Sequence, residues 1–311
     1  MEMHQLRYFV AVARLGNFTR AAEHCNVAQP SLSQQIRKLE TSLDETLVHR
    51  LPGGKSVLTP AGELLYKRAC RILSEVKAAE EELVDRRGVV SGQVRVGAIP
   101  TIAPFLLADA IYAFGQDYPD VTLVVQEMTT ERLLEMLDRS ELDFAVLSPP
   151  LDGGPWNTRE LGVEPLYLAA NRDNALLGKE AVSLGDIRDE DFILMSEGHC
   201  LTDQVERFCN RADFRPRVRF MSAQVETLKS LIRAGVGVSL LPAMAMDLNP
   251  HPEDMLRYAS FTDPQPKRSV VFAWRPEFTL SQASVVFQDY LKKAFVARAE
   301  RGKALIKHAI S

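Results

Sequence analysis

Two cysteines in the second half of the chain are the side chains best suited to chemistry. Cys200 follows His199, and Cys209 lies nine residues further on. The pattern predicts a helix that Thr202 caps and whose inward face carries Cys209, so that Cys200 lies just before the helix. The positive end of the helix dipole and a protonated His199 would both favour a Cys200 thiolate, the nucleophilic form of cysteine. Cys209 would be a buried, unreactive thiol.

The spacing of these cysteines sets a geometric condition on any bond between them. Nine residues of helix span roughly 13.5 Å and turn through about 900°, which places the two side chains on opposite faces. A disulfide needs Cα atoms within roughly 7 Å, so Cys200 and Cys209 could bond only if the segment unfolded and repacked. Such a change would give two discrete structures selected by one covalent event. Two cysteines that merely fill the core are the alternative, and the spacing leaves both interpretations open.

The segment around the cysteines alternates between strand and helix patterns. The predicted strands lie at 94–97, 121–126, 142–147, 192–195, 236–241 and 270–274. The predicted helices lie at 105–114, 130–139 and 225–234. This alternation predicts two α/β lobes with a mainly parallel sheet and covering helices.

The first 60 residues carry a different pattern, three short helices followed by a hairpin. Leu6, Phe9 and Val10 lie on one stripe of a first helix, and Ala21 and Ala22 let a second helix cross closely. A third helix, with Pro30 in its first turn, presents side chains that bond base edges or phosphates: Gln29, Ser31, Ser33, Gln34 and Arg37. A three-helix core with a solvated polar face is the alternative to a DNA-binding head.

The hairpin and the charge distribution favour DNA binding. The hairpin turns at Pro52–Gly54, and Arg50 and Lys55 near its ends would contact phosphates. Ten basic and six acidic residues up to Ser74 give this region a net charge of +4, whereas the rest of the chain carries −8. This asymmetry indicates a DNA-facing head on an acidic body.

A long helix follows the hairpin. Thr59 as N-cap and Pro60 at the first helical position open a helix that reaches about Leu83, or roughly 40 Å. So long a helix with a narrow apolar stripe needs a partner helix. We therefore expect a homodimer that presents two recognition helices to two DNA half-sites.

These segments, in this order, resemble the winged helix-turn-helix of LysR-type transcriptional regulators. The resemblance is carried by residues 6–9, 18–22, 27–33, 36–40, 47–50 and 58–62. It implies a winged helix-turn-helix DNA-binding domain over 1–59, a linker and dimerisation helix over 60–88, and a regulatory domain over 89–311. The regulatory domain would be an α/β body of two lobes, similar to periplasmic binding proteins. Lobe I would comprise about 92–161 and 267–300, and lobe II about 162–266.

A branch of this family that senses hydrogen peroxide is similar over essentially the whole chain. The similarity is carried by residues 99–101, 198–201, 203–204, 208–209, 226–228 and 235–242. It implies that Cys200 reacts with peroxide and that Cys209 resolves the sulfenic acid into a disulfide. It also implies a peroxide pocket formed by Thr101, Thr130, His199 and Asp203, with no cofactor and no metal ion.

The resemblance also implies a set of partners. These are double-stranded operator DNA, RNA polymerase, hydrogen peroxide and thiol reductants of the glutaredoxin or thioredoxin type. The dimers would pair into a homotetramer, and the regulator would change transcription of oxidative-stress genes. Neither a long apolar run nor a signal peptide at residues 1–7 is present, and four cysteines are too few for a secreted disulfide framework. We therefore expect a cytoplasmic protein that is nucleoid-associated when DNA-bound and has no membrane contact.

Two other functions remain open. One is a LysR-type regulator that binds a small molecule between its lobes, where the loops at Thr101 and Thr130 would face the cleft while the cysteines stay silent. The other is an enzyme in which Cys200 is the nucleophile and His199 the base. Adjacent side chains usually point apart, and no orienting Asp or Asn stands at a familiar spacing, so we expect no enzyme.

Four positions limit the resemblance or lie outside it. Thr202 stands where members of the peroxide-sensing branch often carry a basic residue. Ala28 stands where a serine would cap the third helix. Cys25 and Cys70 lie in the head and the long helix, and we interpret both as packing residues.

Overall fold

The computed structural model describes residues 1–85, 90–247, 251 and 253–309. It divides into two compact units: Met1–Val89 with Met136–Glu141, and Val90–Glu135 with Leu142–Ser311. The last residues of the predicted linker, 86–88, lie outside the described part of the chain. Within that part, no helix is both long enough and apolar enough to cross a membrane.

The first unit contains the head and the long helix. Its helices are α1 (Met3–Leu15), α2 (Phe18–His24), α3 (Gln29–Leu43) and α4 (Pro60–Asp85). Its strands β1 (Val48–Arg50) and β2 (Ser56–Leu58) pair antiparallel. Gly16 ends α1 at φ 59°, and the Asn17 side chain accepts bonds from two backbone amides at the start of α2. Thr59 caps α4, because its hydroxyl accepts a bond of 2.9 Å from the Gly62 amide.

The second unit is an α/β body. Its helices are α5 (Ala103–Asp117), α6 (Thr130–Asp138), α7 (Cys200–Asn210), α8 (Val225–Arg233) and α9 (Gln282–Ala309). Its strands are β3 (Gly92–Ala98), β4 (Val121–Glu127), β5 (Phe144–Leu147), β6 (Asn157–Asn171), β7 (Asp191–Met195), β8 (Arg217–Ser222), β9 (Ser239–Pro242), β10 (Leu256–Ala259) and β11 (Lys267–Trp274). We call the part built on β3–β5 lobe I and the part built on β7–β10 lobe II.

The strand directions correct one prediction. The main sheet has the order β10-β6-β11-β5-β3-β4, with β9 also paired to β6. β3 is parallel to β4 and β5, and β7 is parallel to β8, but the pairs that involve β6 or β11 are antiparallel. The prediction of a mainly parallel sheet was therefore wrong. The sheet is mostly antiparallel because β6 and β11 cross between the lobes in opposite directions. The two-lobed α/β architecture itself is as predicted.

Candidate functional site

Helix α7 carries both cysteines of the predicted redox pair. It begins at Cys200 with His199 as the N-cap residue, and it follows strand β7 after a turn in which Gly198 adopts φ 84°. Thr202 was predicted to cap this helix, and that prediction was wrong. Its hydroxyl instead donates a bond of 2.8 Å to the Met195 carbonyl, because the helix starts three residues earlier than predicted and the turn brings the end of β7 within reach.

The two cysteines face different surroundings. Cys209 is 0% exposed and belongs to the lobe II core with Val205 and Phe208, whereas Cys200 is 7% exposed and lies outside that cluster. Both are free thiols. Their positions in one helix set the Cα atoms roughly 13.5 Å apart, well beyond the roughly 7 Å limit for a disulfide.

The environment of Cys200 acts on its charge in opposing directions. Burial raises the pKa of the Cys200 thiol, the Arg268 guanidinium and the Thr130 hydroxyl lower it, and the Asp203 carboxylate raises it. The net shift is upward, so the predicted stabilised thiolate is not what this form of the protein holds. The Oγ1 atom of Thr130 is buried and has no hydrogen-bond partner of standard geometry among the described residues, which leaves it available to a ligand beside the thiol.

Arg268 is the residue of this site that sequence reasoning missed. Its side chain is fully buried on β11, where it donates bonds of 2.8 Å to the Thr101 hydroxyl and 3.1 Å to the Thr101 carbonyl. Its Nε atom donates a bond of 2.8 Å to Glu164, its register partner on β6. Arg268 thus connects Thr101 of lobe I with the strand that joins the lobes, and its charge acts on Cys200. The pairing of positions 104 residues apart has no local signal.

His199 and Asp203 are placed differently from the pocket that was predicted. His199 is buried, and burial lowers the pKa of its imidazole. The neutral ring is therefore favoured, and the predicted support of a thiolate by an imidazolium is corrected. Asp203 is exposed on α7. Of the predicted pocket, Thr130 is near the Cys200 thiol, and Thr101 is bonded to Arg268, whose charge acts on that thiol.

Gln204 ties α7 to lobe I. Its amide donates a bond of 2.8 Å to the hydroxyl of Ser148, a residue at the end of β5 that is 0% exposed. The Ser148 hydroxyl in turn donates to the Ser269 carbonyl at 2.7 Å. Unfolding of α7 would therefore break this contact with lobe I as well as contacts in the core of lobe II.

The remaining cysteines differ in reactivity. Burial raises the pKa of Cys209 to about 12, which makes it a weak nucleophile while it stays in the core. Cys70 is buried in the core of the head and Cys25 is half-buried against it, and burial raises the pKa of both.

The candidate DNA interface lies on the head. Along α3, the side chains of Pro30, Ser31, Gln34 and Arg37 are exposed, and Gln29 is half-buried. Ser33 was predicted to face outward, and this is wrong: it is 7% exposed, and its hydroxyl accepts a bond of 2.6 Å from Arg50. Position 33 follows the buried Leu32 and turns toward the hairpin.

The hairpin is held against the helices. The Arg50 guanidinium lies 4.1 Å from the centre of the Phe18 ring while it bonds Ser33. Lys55 is exposed, and its backbone bridges to Asn17. Arg50 is therefore partly committed to the head itself, and Lys55 is the freer cation of the two.

Comparisons with known proteins identify the class. Residues 87–296 match the LysR substrate binding domain, and residues 3–63 match the bacterial regulatory helix-turn-helix protein of the lysR family. The chain belongs to the LysR family of DNA-binding transcriptional regulators.

Within that family the chain is OxyR-like. It is 35% identical to the hydrogen peroxide-inducible genes activator of Pectobacterium carotovorum subsp. carotovorum, over 89% of this chain and 91% of the relative. A full-length OxyR from Pseudomonas aeruginosa is 31% identical, with a TM-score of 0.83 over 96% of this chain and 97% of that structure. A mutant OxyR from Corynebacterium glutamicum, described as bound to hydrogen peroxide, is 28% identical, with a TM-score of 0.65 over 98% and 97%.

Proposed function

We propose that this protein senses hydrogen peroxide through a reversible Cys200–Cys209 disulfide and thereby changes its binding to operator DNA. The observation that carries the proposal is the position of both cysteines in one helix, out of bonding range, with Cys200 buried beside Thr130 and under the influence of Arg268. The names of the relatives support hydrogen peroxide as the signal.

The chemistry proceeds in two balanced steps. The Cys200 thiolate attacks one oxygen of hydrogen peroxide, the O–O bond breaks, and sulfenic acid and hydroxide form. The Cys209 thiol then attacks the sulfenic sulfur, and the S–S bond forms as water leaves. Cys200 starts mainly as the thiol, so its proton must pass to solvent or to a neighbour before the first step. Thr130, Thr101 and Arg268 would position the peroxide and stabilise the departing hydroxide, with His199 and Asp203 nearby.

The second step requires α7 to unfold. Bringing the two sulfur atoms together removes Cys209 from the lobe II core and breaks the bond between Gln204 and Ser148. A thiol reductant of the glutaredoxin or thioredoxin type would restore the helix. We propose that the repacked body acts on DNA through a dimer formed along α4, with dimers pairing as tetramers, and that it thereby controls access of RNA polymerase to oxidative-stress genes.

The test counts thiols after stoichiometric peroxide. We expect the reduced full chain to lose two of its four thiols, and peptide mass spectrometry to find a Cys200–Cys209 bond. Cys209→Ser should stop at the sulfenic acid, Cys200→Ser should retain its three thiols, and the control Cys25→Ser should oxidise like the wild type. Operator footprints of the reduced and oxidised forms should differ.

Two results would contradict the proposal. Four unchanged thiols at stoichiometric peroxide would leave a LysR regulator with another signal, such as a small molecule bound between the lobes. Identical footprints for the two forms would separate the disulfide from regulation.

A further inference from the structure

A cavity of about 240 Å³ lies on the side of α7 that faces β11. One wall consists of Gln204, Arg207 and Phe208 of α7 with Arg211, the C-cap residue of that helix, and the β11 wall includes Lys267 and Arg268. We call it the hinge cavity. The predicted cleft residues Thr101 and Thr130 are not among its lining residues, whereas Arg268 belongs both to this lining and to the site around Cys200.

The hinge cavity is strongly basic. Four cationic side chains line it, and no Asp or Glu does so among the residues that the structure describes. Only Arg268 is neutralised, because it bonds the buried Glu164. Arg207 uses its Nε atom on the Asp203 carbonyl, while the side chains of Arg211 and Lys267 make no hydrogen bond or ion pair to a described residue. Among the described residues, Arg207, Arg211 and Lys267 thus line one concave surface as exposed cations without an acidic side chain beside them, an arrangement that favours a bound anion.

The size and chemistry of the cavity define the ligand class. A volume of about 240 Å³ is large enough for a small polyatomic ion with part of its hydration shell. Arginine forks bind phosphate and carboxylate oxygens in pairs. We propose that the hinge cavity binds a small multivalent oxyanion, either a phosphate compound or a polycarboxylate.

Occupancy of the cavity would oppose oxidation, an inference that rests on the proposed disulfide. Gln204, Arg207 and Arg211 form one wall only while α7 is helical, so the anion binds the reduced fold and loses its site when the helix unfolds. A ligand that binds one state alone stabilises that state by the factor 1 + [L]/Kd. At ten times Kd, the disulfide should form about tenfold more slowly.

Binding is tested first, without redox chemistry. We expect calorimetry on the reduced full chain at constant ionic strength to detect phosphate, pyrophosphate or citrate but not acetate. Tighter binding of pyrophosphate than of citrate identifies the phosphate class, and tighter binding of citrate identifies the polycarboxylate class. The double variant Arg211→Gln, Lys267→Gln should weaken binding at least tenfold. The control Arg215→Gln, Lys292→Gln removes two exposed charges away from the cavity and should bind like the wild type. No heat with any of these anions, or equal loss in both double variants, would overturn the site.

Oxidation is tested second. The bound anion should slow disulfide formation in the wild type, and the cavity double variant should oxidise at one rate with or without it. Binding with no effect on the oxidation rate would overturn the coupling. Failure of any disulfide to form would overturn the proposed function instead, while leaving the anion site intact.

Discussion

At the scale of single residues, burial dominates the chemistry of Cys200. The thiol lies beside a hydroxyl and under the charge of a guanidinium that both favour its ionisation, yet the cost of holding a charge away from water is larger. A thiol held this way is mostly protonated at neutral pH, and its reactivity follows the small thiolate fraction.

The rate of Cys200 oxidation should therefore rise by about tenfold for each pH unit below the pKa of the thiol. Because this pKa lies above the ordinary value, the rise should extend across pH 6–8. Thr130→Val removes a group that favours the thiolate, raises the pKa further, and should slow oxidation at pH 7 by about tenfold, equivalent to about 1.4 kcal/mol. Stopped-flow oxidation with excess peroxide measures both effects.

The variant Thr130→Ser keeps the hydroxyl and provides the control for this prediction. It should follow the pH profile of the wild type. Equal rates for Thr130→Val and the wild type at pH 7, or a rate that does not change between pH 6 and 8, would show that ionisation of Cys200 does not limit the reaction.

At the scale of elements, the sequence predicts those helix ends and caps that depend on bonds between residues close in the chain. Gly16, Asn17 and Thr59 act as helix signals because the atoms that they bond are within four residues. The start of α7 was predicted wrongly because Thr202 found a carbonyl seven residues back, outside the helix, and bonded it. Arg268 was missed because its partners Thr101 and Glu164 become neighbours only when the lobes are joined.

One element junction depends on a glycine. A Cβ atom on Gly62, in the first turn of α4, would lie 2.1 Å from the Leu47 carbonyl oxygen, and that oxygen belongs to backbone that cannot move aside. We expect Gly62→Ala to destabilise the head by about 2–3 kcal/mol. Hydrogen exchange of the amides in residues 3–63 measures the loss as faster exchange.

Gly115 offers a matched control in α5. A Cβ atom there meets no atom within 4 Å, so Gly115→Ala should leave exchange in the head unchanged and add about 0.5–1 kcal/mol of helix stability. If hydrogen exchange in the head did not change in Gly62→Ala, the first turn of α4 would pack less closely against the Leu47 carbonyl than the structure shows.

At the scale of the whole molecule, the candidate DNA interface and the two cysteines of α7 belong to different compact units. Arg37 is exposed on α3, so Arg37→Ala should weaken operator binding by about 1–3 kcal/mol and, if it contacts a phosphate, reduce the slope of log K against log salt by about 1. Fluorescence anisotropy between about 50 and about 200 mM KCl measures both the loss of affinity and the change of slope.

The same variant should oxidise at the wild-type rate, and Lys292→Ala, which removes an exposed charge from α9, should leave DNA binding intact. Full-strength operator binding by Arg37→Ala would place the recognition surface elsewhere on the head.

The contact of Arg50 with both Ser33 and Phe18 has a consequence for the length of the DNA that the head reads. One side chain fastens the hairpin to two helices, so the loop beyond it has no independent reach. Inserting a single base pair, about 3.4 Å of axial rise, between the groove contacts and the flanking phosphates would therefore cost both sets of contacts at once. We therefore expect each half-site to have one fixed span.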